Sequence, residues 1–265
     1  MTDEAAAIAE RFLAARRSAS GLADYPGTLP ETPDASYTIQ DAAIAAWDKP
    51  VIGWKVGRIL PPLSDRFGAD RFVGPIFASA TASAPGDRSA MPIFAEGAAA
   101  VEAEFLLRIG TEPPAGQTRF TLEESADLID RVHVGIEIAS SPLRVLNALG
   151  PVAVISDFGN NNGLVIGPAI EDWRTSGFEA WTVATRVDGV EVGSGQATAF
   201  PDGAIGAARF LFELMARRGI ALRPGQWISS GAVSGVHDVT PGQTVDVRFG
   251  DRHEVGCLVT AARPE

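Results

Sequence analysis

Residues 131–138 read Arg-Val-His-Val-Gly-Ile-Glu-Ile, a strict alternation that sends Val132, Val134, Ile136 and Ile138 to one side of an extended chain. His133, Gly135 and Glu137 go to the other. A period of two over eight residues fits a strand and no helix. Similar short runs occupy residues 51–56, 101–109, 181–187 and 244–249, and the chain is cut throughout by 28 glycines and 18 prolines. A sheet-dominated core is therefore expected from Val51 onward. Asp188-Gly189 between two such runs predicts a two-residue hairpin, because glycine accepts the positive φ of the turn.

The first fifty residues have a different texture. Residues 2–18 carry Ile8, Phe12 and Leu13 on one stripe, with Arg11, Arg16 and Arg17 left for solvent, which predicts an amphipathic helix. Thr38 with Asp41 resembles a capping box ahead of Ala42, Ala43, Ala46 and Trp47. The expected organisation is a helical segment over residues 1–50 and one structural unit over residues 51–265. Thr121 with Glu124 predicts a short helix ending near Arg131. Another is expected from Asp202 to its stop at Gly219, with Ile205, Phe212 and Met215 on its apolar face.

Charge and cysteine content narrow the function classes. The formal net charge is −11 and no basic block offsets it, so nucleic acid and anionic membranes are not expected partners. The N-terminus lacks the basic start and apolar run of a secretory signal, and no window reaches membrane-spanning length, so a cytoplasmic location is expected. Cys257 is the single cysteine and the three histidines are scattered, which leaves any metal to be held by oxygen. An anionic substrate would need a metal or a buried cation to reverse the field locally.

Several residues could carry chemistry. In residues 101–106, Glu102 and Glu104 share one strand face, with Cβ atoms roughly 7 Å apart, close enough to lean onto one cation. Taken alone, the spacing favours a solvated polar strand face. Glu137 is a third strand carboxylate, and if its face is covered a shared Mg²⁺ or Mn²⁺ would relieve the cost of burying its charge. His133 on the same face reads as a hydrogen-bonded structural histidine. Lys55, flanked by Gly53 and Gly57, is one of only two lysines among 22 basic residues. It is either a carboxylate's partner or an amine whose pKa is lowered near a metal so that it exchanges protons. Residues 155–163, Ile-Ser-Asp-Phe-Gly-Asn-Asn-Asn-Gly, form a turn whose side chains satisfy their own backbone or address a ligand. Residues 227–231, Trp-Ile-Ser-Ser-Gly, end a strand in hydroxyls and glycine.

Taken in order, these pieces resemble the 2-keto-4-pentenoate hydratase and 4-oxalocrotonate decarboxylase branch of the fumarylacetoacetate hydrolase superfamily: Gly-x-Lys-x-Gly at residues 53–57, Glu-x-Glu at 102–104, Ile-Glu-Ile at 136–138, the Asp/Asn-rich turn, then the strand ending Ser-Ser-Gly at 229–231. The likeness spans residues 51–259. It implies an α+β fold, a fumarylacetoacetate-hydrolase-type mixed β roll or barrel-like core with peripheral helices. It further implies that Glu102, Glu104 and Glu137 bind Mg²⁺ or Mn²⁺, that Lys55 shuttles a proton, that Asp157 orients a water or Lys55, and that Ser230 or the Gly231 backbone holds a substrate carboxylate.

The implied reaction is addition of water to a 2-hydroxy-2,4-dienoate, giving a 4-hydroxy-2-oxo acid in aromatic-compound catabolism. The alternatives are decarboxylation of a 2-oxo-3-enedioate, carbon–carbon hydrolysis of an acylpyruvate with His133 as the local base, and a non-catalytic subunit paired with an active relative. A homo-oligomer acting on small 2-oxo acids is the expected assembly. The sequence departs from the family pattern in three places. Phe72 stands where the hydratases carry an acidic residue, with Asp70 displaced from it. Residues 140–142 read Ser-Ser-Pro rather than Asp-Ser-Arg, and the turn reads Asp157-Phe158 rather than Asp-Asn.

Overall fold

A computed structural model describes residues 3–82, 86 and 88–265. Two helices open the chain, α1 (Asp3–Ser18) and α2 (Pro33–Ala46). The cap of α2 is Thr32, whose hydroxyl accepts from the Ala35 amide, with Pro33 at the first helical position. The start expected at Thr38 is thus six residues late. Thr38 lies inside the helix and turns its hydroxyl back to the Asp34 carbonyl.

The strands follow as β1 (Gly53–Arg58), β2 (Arg71–Ile76), β3 (Ser79–Thr81), β4 (Arg88–Ile93), β5 (Ala98–Ile109), β6 (Ile129–Ser141), β7 (Asn161–Ala169), β8 (Val183–Val187), β9 (Val190–Gly195), β10 (Trp227–Ser229), β11 (Val236–Asp238), β12 (Thr244–Phe249) and β13 (His253–Ala261). Between them lie α3 (Leu63–Phe67), α4 (Leu122–Asp127), α5 (Leu146–Leu149), α6 (Pro151–Ser156) and α7 (Gly203–Arg218). The capping box at Thr121 and Glu124 is present. Its helix stops at Asp127, short of Arg131, because Ile129 already pairs with Ile109. The Asp188-Gly189 turn has φ values of 50° and 80°, as a mirror-image hairpin turn requires.

Two mixed sheets form the core. One runs β2-β1-β10-β5-β6-β7-β3 with β11 also on β5; the other runs β4-β13-β12-β8-β9. Among the described residues both are open, so the architecture is a pair of packed sheets with N-terminal helices and no closed barrel. Val101, Ala103, Phe105 and Leu107 of β5 and Val132, Val134, Ile136 and Ile138 of β6 are buried in the common core, where Phe105 meets Phe249 edge-on at 5.3 Å. The alternation that buries those residues turns Glu102, Glu104 and Glu137 to the opposite face.

One irregularity opens the site. β10 pairs with residues 106–108 of β5, and β11 with residues 100–102, so the same edge of β5 is shared by two short strands. Opposite residues 103–105 the ladder is interrupted, and the connecting chain is tied to β5 by the Val233 amide on the Ala103 carbonyl. The described residues contain no helix long and apolar enough to cross a membrane.

Candidate metal centre

The register of the central strands assembles the site. Glu102 stands opposite Glu137, and Glu104 opposite Gly135, whose missing side chain makes room for Leu106. Lys55 on β1 lies beside Ser229 on β10, and Gly74 faces it from β2. One carboxylate oxygen from each of Glu102, Glu104 and Glu137 lies within 4.8 Å of the other two. All three residues are buried, Glu104 and Glu137 completely.

Each carboxylate is held by a different neighbour. Glu104 accepts from the Ser229 hydroxyl and from the Gly231 amide at 2.9 Å through one oxygen, while its other oxygen has no hydrogen-bond donor among the described residues. Glu137 accepts from the Asn161 side-chain amide at 2.9 Å and lies 3.1 Å from the Lys55 ammonium. That ammonium is 4.0 Å from Glu102 and donates to the Asn160 side-chain oxygen at 3.2 Å.

The electrostatics of this cluster are unbalanced. Burial pushes the Glu102 carboxyl up to about 7, against the pull of Lys55 and with the push of Glu137. Burial likewise raises Glu104 well above the usual range, helped by the other two glutamates. Burial alone would depress the Lys55 ammonium, but Glu102, Glu137 and Glu104 outweigh it and raise its pKa. In the metal-free protein Lys55 therefore holds its proton firmly, paired with the carboxylates; the lowering expected beside a metal concerns the loaded site. With all three carboxyls ionised, one ammonium would leave two negative charges uncompensated; the metal-free cluster avoids this by holding protons on Glu104 and Glu102, and one divalent cation would take their place. The oxygen-only donors and the undonated Glu104 oxygen fit a hard ion such as Mg²⁺ or Mn²⁺.

A cleft of about 510 Å³ opens onto the cluster and is lined by Lys55, Glu102 and Asn160 at its polar end. Leu60, Phe72, Val154, Phe200 and Val236 supply apolar wall, and Arg58 stacks on Phe200 with its guanidinium 5.5 Å from the ring. The Phe72 ring covers Gly57 and lies 5.7 Å from the Lys55 ammonium, whereas Asp70 is exposed and does not line the cleft. A separate cavity of about 590 Å³ beside Trp181 and His253 contains none of the clustered carboxylates.

Other expected site residues are engaged elsewhere. Asp157 does not meet Lys55; both its oxygens are taken by Arg16, at 2.6 and 3.0 Å, and one also accepts from Ser141. The Ser230 hydroxyl donates to the Phe105 carbonyl at 2.8 Å, and only Gly231 of the pair lines the cleft. His133 bonds the Gly167 carbonyl and packs edge-on against Trp227, four residues along β6 from Glu137, so it holds the sheet rather than serving the cluster. Arg16, read as a solvent-facing arginine, is buried. Ser229, Asn160 and Asn161 are first-order partners of the cluster that residue pattern alone marked only as strand end and turn.

No family model matches the sequence. The structure is similar over 98% of its length to 98% of 4-oxalocrotonate decarboxylase from Pseudomonas putida G7 complexed with calcium and acetate, with a TM-score of 0.82 and 19% identity. The same enzyme complexed with magnesium and adipate gives 0.82 and 18% over the same shares. Fumarylpyruvate hydrolase from Pseudomonas aeruginosa, in complex with Mn²⁺ and pyruvate, gives 0.55 and 19%, covering 79% of this chain and 89% of that one. The fold is of the fumarylacetoacetate-hydrolase type, and these structural neighbours are enzymes.

Proposed function

We propose that the chain is a divalent-metal-dependent decarboxylase of a 2-oxo-3-enedioate, with Glu102, Glu104 and Glu137 holding the cation and Lys55 delivering the proton. The observation that carries this reading over hydration is the proton inventory of the cleft. Among the described residues, and apart from Arg58, its titratable lining groups are Lys55 and Glu102, and the Phe72 ring lies against the Lys55 ammonium. Hydration of a dienoate needs one group to activate water and another to protonate carbon. Decarboxylation needs an electron sink and a single proton donor.

When bound, the cation polarises the 2-oxo group and offsets the charge that develops on its oxygen. The residues do the rest. The bond to the distal carboxylate breaks and carbon dioxide leaves. Its electron pair becomes a new terminal double bond, the existing double bond shifts toward the 2-oxo carbon, and the oxygen there takes a proton from Lys55. The product is a 2-hydroxy-2,4-dienoate.

Arg58 offers the distal carboxylate a cationic partner at the cleft wall. Phe72, Val154 and Phe200 give the same region an apolar wall, which favours departure of neutral carbon dioxide over a hydrated carboxylate. The adipate complex of a structural neighbour, a six-carbon dicarboxylate, supports a substrate with two carboxylates.

Offering 2-oxohex-3-enedioate and 2-hydroxypenta-2,4-dienoate in parallel, with Mn²⁺ and with EDTA, tests the reading by product mass. Loss of carbon dioxide from the first and no change in the second are expected with Mn²⁺. Gain of water by the second, without decarboxylation of the first, would replace this reading with the hydratase.

A further inference from the structure

We infer that Arg16, on the N-terminal helix, is a positioning residue for the metal centre: it clamps the loop after α6 so that Asn161 orients Glu137 and Asn160 orients Lys55. The inference rests on the proposed metal site and adds to it a residue far away in sequence.

Arg16 reaches the loop with its whole guanidinium. It meets the Asp157 carboxylate through Nε at 2.6 Å and through a terminal nitrogen at 3.0 Å. It also donates to the carbonyls of Asn161 and Ser140 and to the Asn162 side-chain oxygen, each at 3.3 Å, and to the Asp157 carbonyl at 3.4 Å. The rings of Phe94 and Phe158 flank it at 5.4 and 5.0 Å. Such a planar, multiply bonded arrangement is beyond lysine, whose ammonium is a compact charge on a flexible stem.

The loop needs a clamp. Phe158, Gly159 and Asn160 take φ values of 56°, 63° and 57°, so two residues with side chains sit in the left-handed region, which only surrounding structure sustains. The outcome of that conformation is the site itself. Asn160 emerges from it onto the Lys55 ammonium at 3.2 Å, and Asn161 onto Glu137 at 2.9 Å. Gly159 packs so closely that a Cβ there would lie 3.1 Å from the Lys55 side chain. A shift of the loop therefore moves both partners of the cluster together. Partners that orient metal ligands are worth about ten- to a hundredfold in metal affinity.

The test is Mn²⁺ affinity, followed by the electron paramagnetic resonance signal of free Mn²⁺, in wild type, Arg16→Lys, Asn161→Ala and the double variant, with circular dichroism as the check on folding. Arg16→Lys is expected to weaken Mn²⁺ by about tenfold. The double variant is expected to be no weaker than the poorer single one, because both changes release the same carboxylate. Affinity in Arg16→Lys equal to wild type, or losses that add in the double variant, would overturn the inference. Should Arg16→Lys not fold, Asp157→Asn removes the charge Arg16 grips while keeping the size, and it carries the same expectation. Wild type that binds Mn²⁺ but turns over no 2-oxo acid would remove the proposed reaction and leave the role of Arg16 to be decided by the affinities.

Discussion

At the scale of single residues, Lys55 separates proton delivery from metal binding. It touches Glu137 and Asn160 but is not one of the three carboxylate donors. Lys55→Ala is expected to cost at least about a hundredfold in turnover while Mn²⁺ still binds. Steady-state kinetics beside a Mn²⁺ titration checks this, and unchanged turnover would end its role as proton donor. Arg58→Met is expected to raise KM for the enedioate by about tenfold with Mn²⁺ affinity unmoved, since the lost group is a charge-assisted partner for one carboxylate. The shared face of Glu102 and Glu104 was visible in the sequence because a strand's alternation is local; that Glu137 and Lys55 join them came from the resemblance to the family. Arg16 was not visible. Its partner Asp157 lies 141 residues away, and a helical arginine near a chain terminus carries no local mark of burial.

At the scale of elements, the contact between β2 and the loop after α6 depends on a missing side chain. A Cβ on Gly74 would lie 2.2 Å from the Phe158 carbonyl oxygen and 2.6 Å from the Gly159 Cα, both backbone atoms that cannot step aside cheaply. Gly74→Ala is expected to destabilise the fold by about 1–3 kcal/mol and, by lifting the loop that carries Asn160 and Asn161, to weaken Mn²⁺ as well. Denaturant unfolding and the Mn²⁺ titration check the two parts separately.

Strand positions and the Asp188-Gly189 turn could be read from periodicity and turn chemistry. The start of α2 could have been found at Thr32 from Pro33 beside it, a stronger signal than the Thr38 and Asp41 pair. The start of α7 at Asp202 and its stop at Gly219 were legible too, but not what holds its first turn. Its first free amides, on Ala204 and Ile205, are taken by Glu179 from a preceding turn, and Asp202 spends its carboxylate on Arg209. The sharing of β5 by β10 and β11, which opens the cleft, is likewise a matter of long-range register.

At the scale of the whole molecule, the buried carboxylates make stability depend on pH and on metal in opposite senses. Glu102 titrates near 7 in the folded protein against 4.5 for its ordinary value, so between these values the folded state binds more protons than the unfolded chain. Metal-free stability therefore falls as pH rises through that window, by on the order of 3 kcal/mol from this group, and Glu104 adds to it in the same direction. With Mn²⁺ the trend reverses, because the cation competes with protons for the same carboxylates and binds only the folded state. Thermal unfolding at about pH 5 and about pH 8, in EDTA and in Mn²⁺, is expected to show the two trends crossing. Burial holds the His133 and His253 imidazoles low, which acts in the opposite direction over the same range, so the trend is read as the difference between wild type and Glu104→Gln; a difference that does not change with pH would contradict the burial of ionisable charge in the cluster.

Joining the cluster to its chemistry calls for a single titration: metal-free protein with 2-oxohex-3-enedioate, Mn²⁺ added stepwise, bound Mn²⁺ and released carbon dioxide recorded together. Both signals are expected to saturate together at one ion per chain, and both are expected to be lost in Glu104→Gln. Carbon dioxide release that is the same in EDTA, or Mn²⁺ binding that survives unchanged in Glu104→Gln, would contradict the assignment of this site.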